Sequence, residues 1–228
     1  LYYIHQKNKR INNSSFRINA SENVFLGPSY SNEMIKTFLD SKNIEYESLD
    51  RVELLSKTAK LISEGNIVGW YQGKMEWGPR ALGNRSILAD PRNENMKSIL
   101  NEKIKHRESF RPFAPSILED FTSEYFDIDI SSPYMLFVAP VKKPEKIPAV
   151  THVDGTGRLQ TISKEFNSLY HDLISEFYKI TGIPVLINTS MNVMGEPIVN
   201  TPEQAYNMIL KTDMDYIVLG NYLMKKIT

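Results

Sequence analysis

Three helical patterns in this sequence each lead through a short turn into an apolar strand, and this arrangement constrains the fold most. The helical patterns lie at 52–64, 169–180 and 202–212, and the apolar runs that follow them lie at 67–71, 183–187 and 216–219. Gly65 and Gly182 end the first two helices, and Thr201, Pro202 and Gln204 supply a capping signal for the third. Helices that feed buried strands predict an α/β (α+β) domain, with a twisted mixed β-sheet flanked by helices.

Other patterns predict the remaining elements and the domain boundary. We expect helices at 32–41 and 94–104, and strands at 24–26, 86–89, 113–118, 134–141, 158–162 and 222–224. Residues 1–23 are polar and rich in Asn and Ser, which is typical of a linker or of the tail of an upstream domain. The sequence therefore predicts one domain over residues 24–228.

The composition of the 228 residues argues against several kinds of site. There is no cysteine, so disulfides, thiolate nucleophiles and cysteine-bound metals are excluded. The four histidines are never spaced as a pair on one helix face, so we expect no metal site. A formal net charge of +0 argues against a nucleic-acid partner. Without a long apolar run or a signal-peptide pattern, we expect no membrane association and a cytoplasmic location.

Arginine is concentrated between Arg80 and Arg111. The chain has 18 Lys and 9 Arg, yet five of the arginines lie in this stretch beside only three lysines. Five of the 11 glycines lie at 65–83, before and at the start of this stretch, in a spacing that fits neither a P-loop nor a dinucleotide-binding motif. Guanidinium groups bind phosphate or carboxylate through paired hydrogen bonds, so the stretch indicates an anion site. A glycine-rich turn with solvated arginines is the structural alternative.

A second group of cations lies in KHRESFRPF, residues 105–113. If this segment is extended, Lys105, Arg107 and Arg111 project to the same side, because side chains alternate along a strand. They would then form one cationic surface. The alternative is a set of salt bridges to nearby carboxylates, namely Glu102, Glu108 and Glu119.

Polar side chains also follow the apolar strand at 183–187, in the segment NTSMN at 188–192. Hydroxyl and amide groups at the carboxyl end of a strand are where open sheets bind ligands, although an Asx or Ser/Thr turn would use the same residues. A loop with two glycines, HVDGTGR, ends at Arg158. No Ser-His-Asp arrangement and no catalytic carboxylate pair can be supported from the spacing.

Five stretches carry a family resemblance in a fixed order: MEWGPRALGNRSILADPR, KHRESFRPFAPSILE, PYMLFVAPV, IPAVTHVDGTGRLQT, and PVLINTSMNVMGEPIV followed by TPEQA. With them the chain resembles the carboxyl-terminal domain of the O-carbamoyltransferases of nodulation-factor and antibiotic biosynthesis. That domain is similar to the YrdC fold, whose K-x-R and S-x-N signature corresponds to Lys105, Arg107, Ser190 and Asn192.

The resemblance implies that the chain forms carbamoyl-adenylate from ATP, accompanied by Mg²⁺, and carbamoyl phosphate. It implies that Lys105, Arg111 and Ser190 are catalytic. It also implies a set of substrate- and nucleotide-binding residues, namely Arg80, Arg85, Arg107, Arg158, Asn188 and Asn192. The implied partner is an amino-terminal, actin-like-ATPase-type domain of the same polypeptide, which carries iron and passes the carbamoyl group to a hydroxyl.

Two other functions stay open at this point. The chain could be a non-catalytic module that binds nucleotide or RNA, as other YrdC-like domains serve tRNA modification, or a fragment that is inert without its partner domain. The acceptor is not identified by the sequence, and neither is the oligomeric state, including a homodimer.

Overall fold

The apolar run at 68–71 lies near the middle of a nine-stranded sheet in the computed structural model, which describes residues 24–226. The strands are β1 (Glu47–Ser48), β2 (Val68–Tyr71), β3 (Arg85–Ala89), β4 (Ala114–Leu118), β5 (Phe137–Pro140), β6 (Thr156–Ile162), β7 (Val185–Ser190), β8 (Tyr216–Leu219) and β9 (Tyr222–Lys225). Their order is β1-β9-β8-β2-β3-β7-β4-β6-β5. The pairs β2–β8 and β4–β6 are parallel and the other pairs are antiparallel, which confirms the predicted mixed sheet.

Six α-helices accompany the sheet in the described residues. They are α1 (Asn32–Ser41), α2 (Arg51–Ser63), α3 (Met96–Ile99), α4 (Thr122–Tyr125), α5 (Ser168–Thr181) and α6 (Pro202–Lys211). Asp50 and Thr201 each close a capping box at the start of α2 and α6, so both helices begin where local sequence chemistry favours it. Helices α2 and α5 pack on each other, and α6 packs on β2 and β8.

The central strands are buried along most of their length, which explains why most of their residues are apolar. Every residue of β2, β3 and β4 is buried, and so are the first four residues of β7. Strands covered on both faces have no solvent side on which polar residues could alternate. None of the described helices is long and apolar enough to cross a membrane.

The strand predicted at 24–26 is wrong. This segment follows the 75–77 loop as irregular chain: the Trp77 N–H donates to the carbonyl of Val24, and the Gly27 N–H donates to the carbonyl of Met75. A Cβ at Gly27 would lie 2.8 Å from the Met75 Cβ, so only glycine permits this approach. The predicted linker at 1–23 lies outside the described residues.

The predicted helix at 94–104 is shorter and changes its winding. Helix α3 continues into a π-helix, Leu100–Lys105, which ends at His106 in the left-handed conformation with φ 50°. The condition under which Lys105, Arg107 and Arg111 would alternate along an extended segment is not met, because Lys105 ends a helix and a turn follows in which the Arg111 N–H donates to the Glu108 carbonyl. A π-helix adds one residue to a helical turn, and this addition often occurs at functional sites.

Candidate functional site

A cationic pocket opens where the glycine- and arginine-rich loop meets β6, β7 and the segment after the π-helix. Three arginines contribute to its wall, and no Asp or Glu does. An excess of fixed positive charge without a neutralising carboxylate is typical of a site for a multiply charged anion. The pocket is lined by Pro79, Arg80, Ala81, Arg107, Pro112, Phe113, Ala114, Met135, Arg158, Asn188, Thr189 and Ser190.

The loop that carries Arg80 is held from below by Glu76, a buried residue that the sequence analysis did not single out. Its Oε1 accepts hydrogen bonds from three backbone N–H groups, those of Leu82 at 2.8 Å, Asn84 at 2.6 Å and Arg85 at 3.1 Å. Hydrogen bonds to a buried carboxylate are among the stronger ones in proteins. Glu76 therefore fixes the base of the loop while Arg80 stays exposed at the pocket.

Glycine at position 83 is required by the same loop. Gly83 has φ +107°, and a Cβ there would lie 2.4 Å from the ring of Tyr170. A larger residue would push the loop away from α5. Gly83 thus serves close packing of the loop against α5.

Arg158 reaches the pocket from the middle of β6, where it is half-buried. Its Nε is buried and has no hydrogen-bond partner among the described residues. Burial, and after it the nearby Arg80 guanidinium, lowers the pKa of Arg158. Two arginines that repel each other across a pocket are arranged to receive an anion between them.

Lys105 and Ser190 meet at the end of β7, which brings together residues 85 positions apart. The buried Lys105 Nζ donates to the carbonyl of Ser190, and it lies 2.9 Å from both the carbonyl and the Oδ1 of Asn192. The Ser190 Oγ donates to the same Oδ1 at 2.6 Å. Burial, and then the Arg107 charge, lowers the pKa of Lys105 to about 7.

Arg107 and Arg111 are separated by the turn after the π-helix. Arg107 lines the pocket, stacks over Phe113 with 4.9 Å from its Cζ to the ring centroid, and donates from Nε to Asn101 Oδ1 at 2.7 Å. Burial, and then the Arg111 charge, lowers the pKa of Arg107. Arg111 does not line the pocket. Its exposed side chain pairs with Glu108 at 2.8 Å, so one of the alternative salt bridges is present.

Asn188, one of the predicted site residues, braces the structure around the pocket. Asn188 lines the pocket but is buried, and its Nδ2 lies 3.2 Å from the carbonyl of Ala81, 3.1 Å from Ser116 Oγ and 2.9 Å from Gln160 Oε1. This buried polar network ties the Arg80 loop to β4, β6 and β7. Only the fold could reveal it, because Ser116 and Gln160 have no distinctive sequence signal.

Arg85 lies outside the pocket. Its buried guanidinium donates to four backbone carbonyls, those of Pro28, Gln72, Gly73 and Asn84, and stacks on Tyr71 with 3.6 Å from its Cζ to the ring centroid. The structure therefore gives Arg85 a bracing position beneath the loop. Among the described residues, no group of three or more His, Cys, Asp or Glu side chains is placed to hold a metal ion.

Known proteins resemble this chain over most of its length. A family model described as "Carbamoyltransferase C-terminus" matches residues 59–226. Nodulation protein NolNO of Sinorhizobium fredii is 48% identical over 191 residues, which cover 82% of this chain and 28% of that protein. The chain spans less than two fifths of the length of the first curated relatives it matches.

Solved structures share the fold at low sequence identity. Sua5 of P. abyssi, complexed with L-threonine, superposes with a TM-score of 0.54 and 16% identity, over 77% of this chain and 48% of that one. HypF in a phosphate- and nucleotide-bound form gives 0.53 and 18%, over 74% of this chain and 25% of that one. The solved structures show the YrdC-like fold predicted from the sequence, and the family model shows that the chain belongs to the carbamoyltransferase C-terminal family.

Proposed function

We propose that this chain makes carbamoyl-adenylate from ATP and carbamoyl phosphate, and that another part of its polypeptide passes the carbamoyl group to a hydroxyl. The observation that carries the proposal is the pocket with three arginines and no carboxylate, beside which lies the buried Lys105. ATP and carbamoyl phosphate are both polyanions, so such a pocket suits either of them.

The chemistry needs positive charge at fixed positions. Water first releases phosphate from carbamoyl phosphate to give carbamate, whose oxygen then attacks the α-phosphorus of ATP. The new P–O bond forms as the bond to the β-phosphate breaks, and pyrophosphate leaves. Both partners are anions, so pre-oriented cations lower the barrier without the reorganisation that water would need. A hydrogen bond to a charged group contributes about 1.5–3 kcal/mol, so losing one arginine should cost about tenfold or more.

The pocket suggests a role for each residue. Arg80, Arg107 and Arg158, which line the pocket, bind phosphate oxygens. Lys105 serves the phosphates and the carbamoyl oxygen, together with Arg111 once the latter leaves its exposed pairing with Glu108. Ser190 and Asn192 orient the carbamoyl group or α-phosphate, and Asn188 braces the pocket wall.

Magnesium fits this scheme as a companion of the nucleotide. Mg²⁺ is commonly held by phosphate oxygens, water and at most one or two carboxylates, and this pocket offers no carboxylate. The solved HypF structure that shares the fold contains phosphate and nucleotide, which supports the choice of ligand class. A chain that uses these metabolites belongs in the cytoplasm, and the iron implied for the family would belong to the transferring domain.

The test is exchange of labelled pyrophosphate into ATP, measured with and without carbamoyl phosphate. We expect exchange that depends on carbamoyl phosphate in the chain as given, and a loss of about tenfold or more in Lys105→Ala and Arg111→Ala. Lys103→Ala, which removes an exposed lysine of the same π-helix, is the matched control and should exchange normally. Equal exchange in all four proteins would overturn the catalytic proposal, and ATP binding without exchange would favour a non-catalytic nucleotide module.

A further inference from the structure

We propose that Asn101 is a positioning residue, which holds Arg107 and the turn at 108–111 in place while leaving their positive charge available to the anion. The inference rests on the proposed function, because it gives Asn101 a part in binding phosphate groups. Asn101 lies in the first turn of the π-helix and is fully buried, and it does not line the pocket.

One carboxamide connects three points of the segment that follows it. Asn101 Oδ1 accepts from Arg107 Nε at 2.7 Å, and its Nδ2 donates to the carbonyls of Ser109 at 3.1 Å and Arg111 at 2.9 Å. Its backbone carbonyl accepts the N–H groups of His106 and Arg107 as well. A single residue thereby fixes the course of the chain from the end of the π-helix to Arg111.

The choice of an amide has an electrostatic consequence. Burial, and then the charge of Arg111, lowers the pKa of Arg107. Burial, and then the charge of Arg107, lowers the pKa of Lys105, so the three cations lie close together. A carboxylate at position 101 would hold Arg107 equally well but would neutralise it. An amide oxygen orients the guanidinium and leaves the full positive charge for a ligand.

The amide also satisfies groups that a carboxylate would repel. The carbonyls of Ser109 and Arg111 need a donor, and a carboxylate has none when ionised. Asparagine is therefore the side chain whose one acceptor and two donor hydrogens match this environment. At position 101 the match is specific to asparagine, because glutamine would place the same amide group one methylene further from the backbone.

Two measurements on the 228-residue chain test the proposal. Protection of the Arg107 Nε–H from exchange, followed by ¹⁵N NMR, reports the orientation of the guanidinium without any ligand. Calorimetric titration with ATP and with pyrophosphate reports the anion site. In Asn101→Ala we expect loss of Nε–H protection and affinity weaker by about tenfold or more, whereas in Asn101→Asp we expect retained protection with a similar loss of affinity.

The controls separate positioning from general stability. Asn66→Ala removes a half-buried amide far from the pocket lining, which donates to the Leu61 carbonyl at 2.9 Å, and should leave both readouts unchanged. If Asn101 acts through Arg107, then Arg107→Ala and the Asn101→Ala/Arg107→Ala double variant should bind ATP equally weakly. This double-variant comparison tests whether Asn101 acts through Arg107 even if Asn101→Asp does not fold.

Each outcome bears on one of the two proposals. Wild-type protection and wild-type affinity in Asn101→Ala would overturn the positioning role, and so would losses from the two single variants that add in the double variant. If the wild-type chain binds neither ATP nor pyrophosphate, the proposed function fails. Loss of Nε–H protection in Asn101→Ala would then still support the positioning of Arg107 by Asn101, and retained protection would refute it.

Discussion

Lys105 carries the pH dependence expected of this site. Burial lowers the pKa of Lys105 to about 7 in the empty pocket, and a bound anion would raise it again because opposite charge favours the ammonium. Binding then takes up a proton above about pH 7, and affinity for ATP falls as the pH rises through that value. Calorimetric titration across this range should show the fall in the wild-type chain.

Lys105→Met provides the comparison for that prediction. This variant should bind ATP more weakly and should lack the extra fall in affinity, while the ionisation of ATP itself affects both proteins alike. Parallel pH profiles for the two proteins would contradict the assignment of the titration to Lys105.

Replacing Arg85 should lower the stability of the protein but should not change the binding of ATP by the folded protein. Arg85→Ala removes a donor from four backbone carbonyls and leaves a cavity beside them. The carbonyls of Pro28 and Asn84 keep a backbone N–H donor, whereas those of Gln72 and Gly73 lose the arginine, and an unsatisfied buried group costs about 1–3 kcal/mol. We expect a loss of about 3 kcal/mol or more in the free energy of unfolding, measured with urea. A large loss of ATP affinity at a temperature where the variant is still folded would instead place Arg85 in the binding site.

At the scale of elements, the turn from the π-helix into the cationic segment depends on backbone conformation at position 106. His106 is exposed and has φ 50°, a left-handed conformation that costs β-branched residues most. His106→Val should therefore lower the free energy of unfolding by about 1–2 kcal/mol relative to His106→Gly. Equal stability of the two variants in urea unfolding would show that the conformation is not required.

The same turn shows where prediction from the sequence ends. Helices α2, α5 and α6 were predicted within a residue or two, because their apolar spacing and their caps act locally. The π-helix was not, because its apolar side chains follow the same spacing as an α-helix and its left-handed end falls on His106, with no glycine to mark it. The strand expected at 24–26 failed for a related reason, since an apolar triplet can pack in a loop as well as in a strand.

Across the whole molecule, the site is assembled from parts far apart in the chain. Arg80, Lys105, Arg158 and Ser190 could be named from the sequence because local patterns of cations and hydroxyls drew attention to them and the family resemblance implied their roles. Their arrangement depends on β3 and β4 each pairing with β7, which brings the loop after β2 and the segment after the π-helix to one edge. The supporting residues were missed because a buried polar side chain gains its role only from the carbonyls and N–H groups that the fold places around it, as for Glu76 and Asn101.

This assembly predicts a conflict between stability and binding. Arg158 has a buried Nε without a partner among the described residues, and burial, and then the nearby Arg80, lowers its pKa. Such a charge destabilises the empty fold and is compensated only when an anion binds. We therefore expect Arg158→Met to raise the melting temperature of the ligand-free chain by about 2–4 °C, the shift that about 1 kcal/mol gives in a domain of this size.

The same variant should lose most of the stabilisation that ATP provides. Ligand at a hundredfold excess over its dissociation constant stabilises a protein by about 2.7 kcal/mol, so a tenfold loss of affinity in Arg158→Met should visibly reduce the ATP-dependent rise in melting temperature. Arg51→Met is the matched control, because Arg51 pairs with Asp172 on the surface, and should alter neither value appreciably. A ligand-free Arg158→Met protein that melts below the wild type would mean that Arg158 serves the fold, and the cationic pocket would then need another explanation than anion binding.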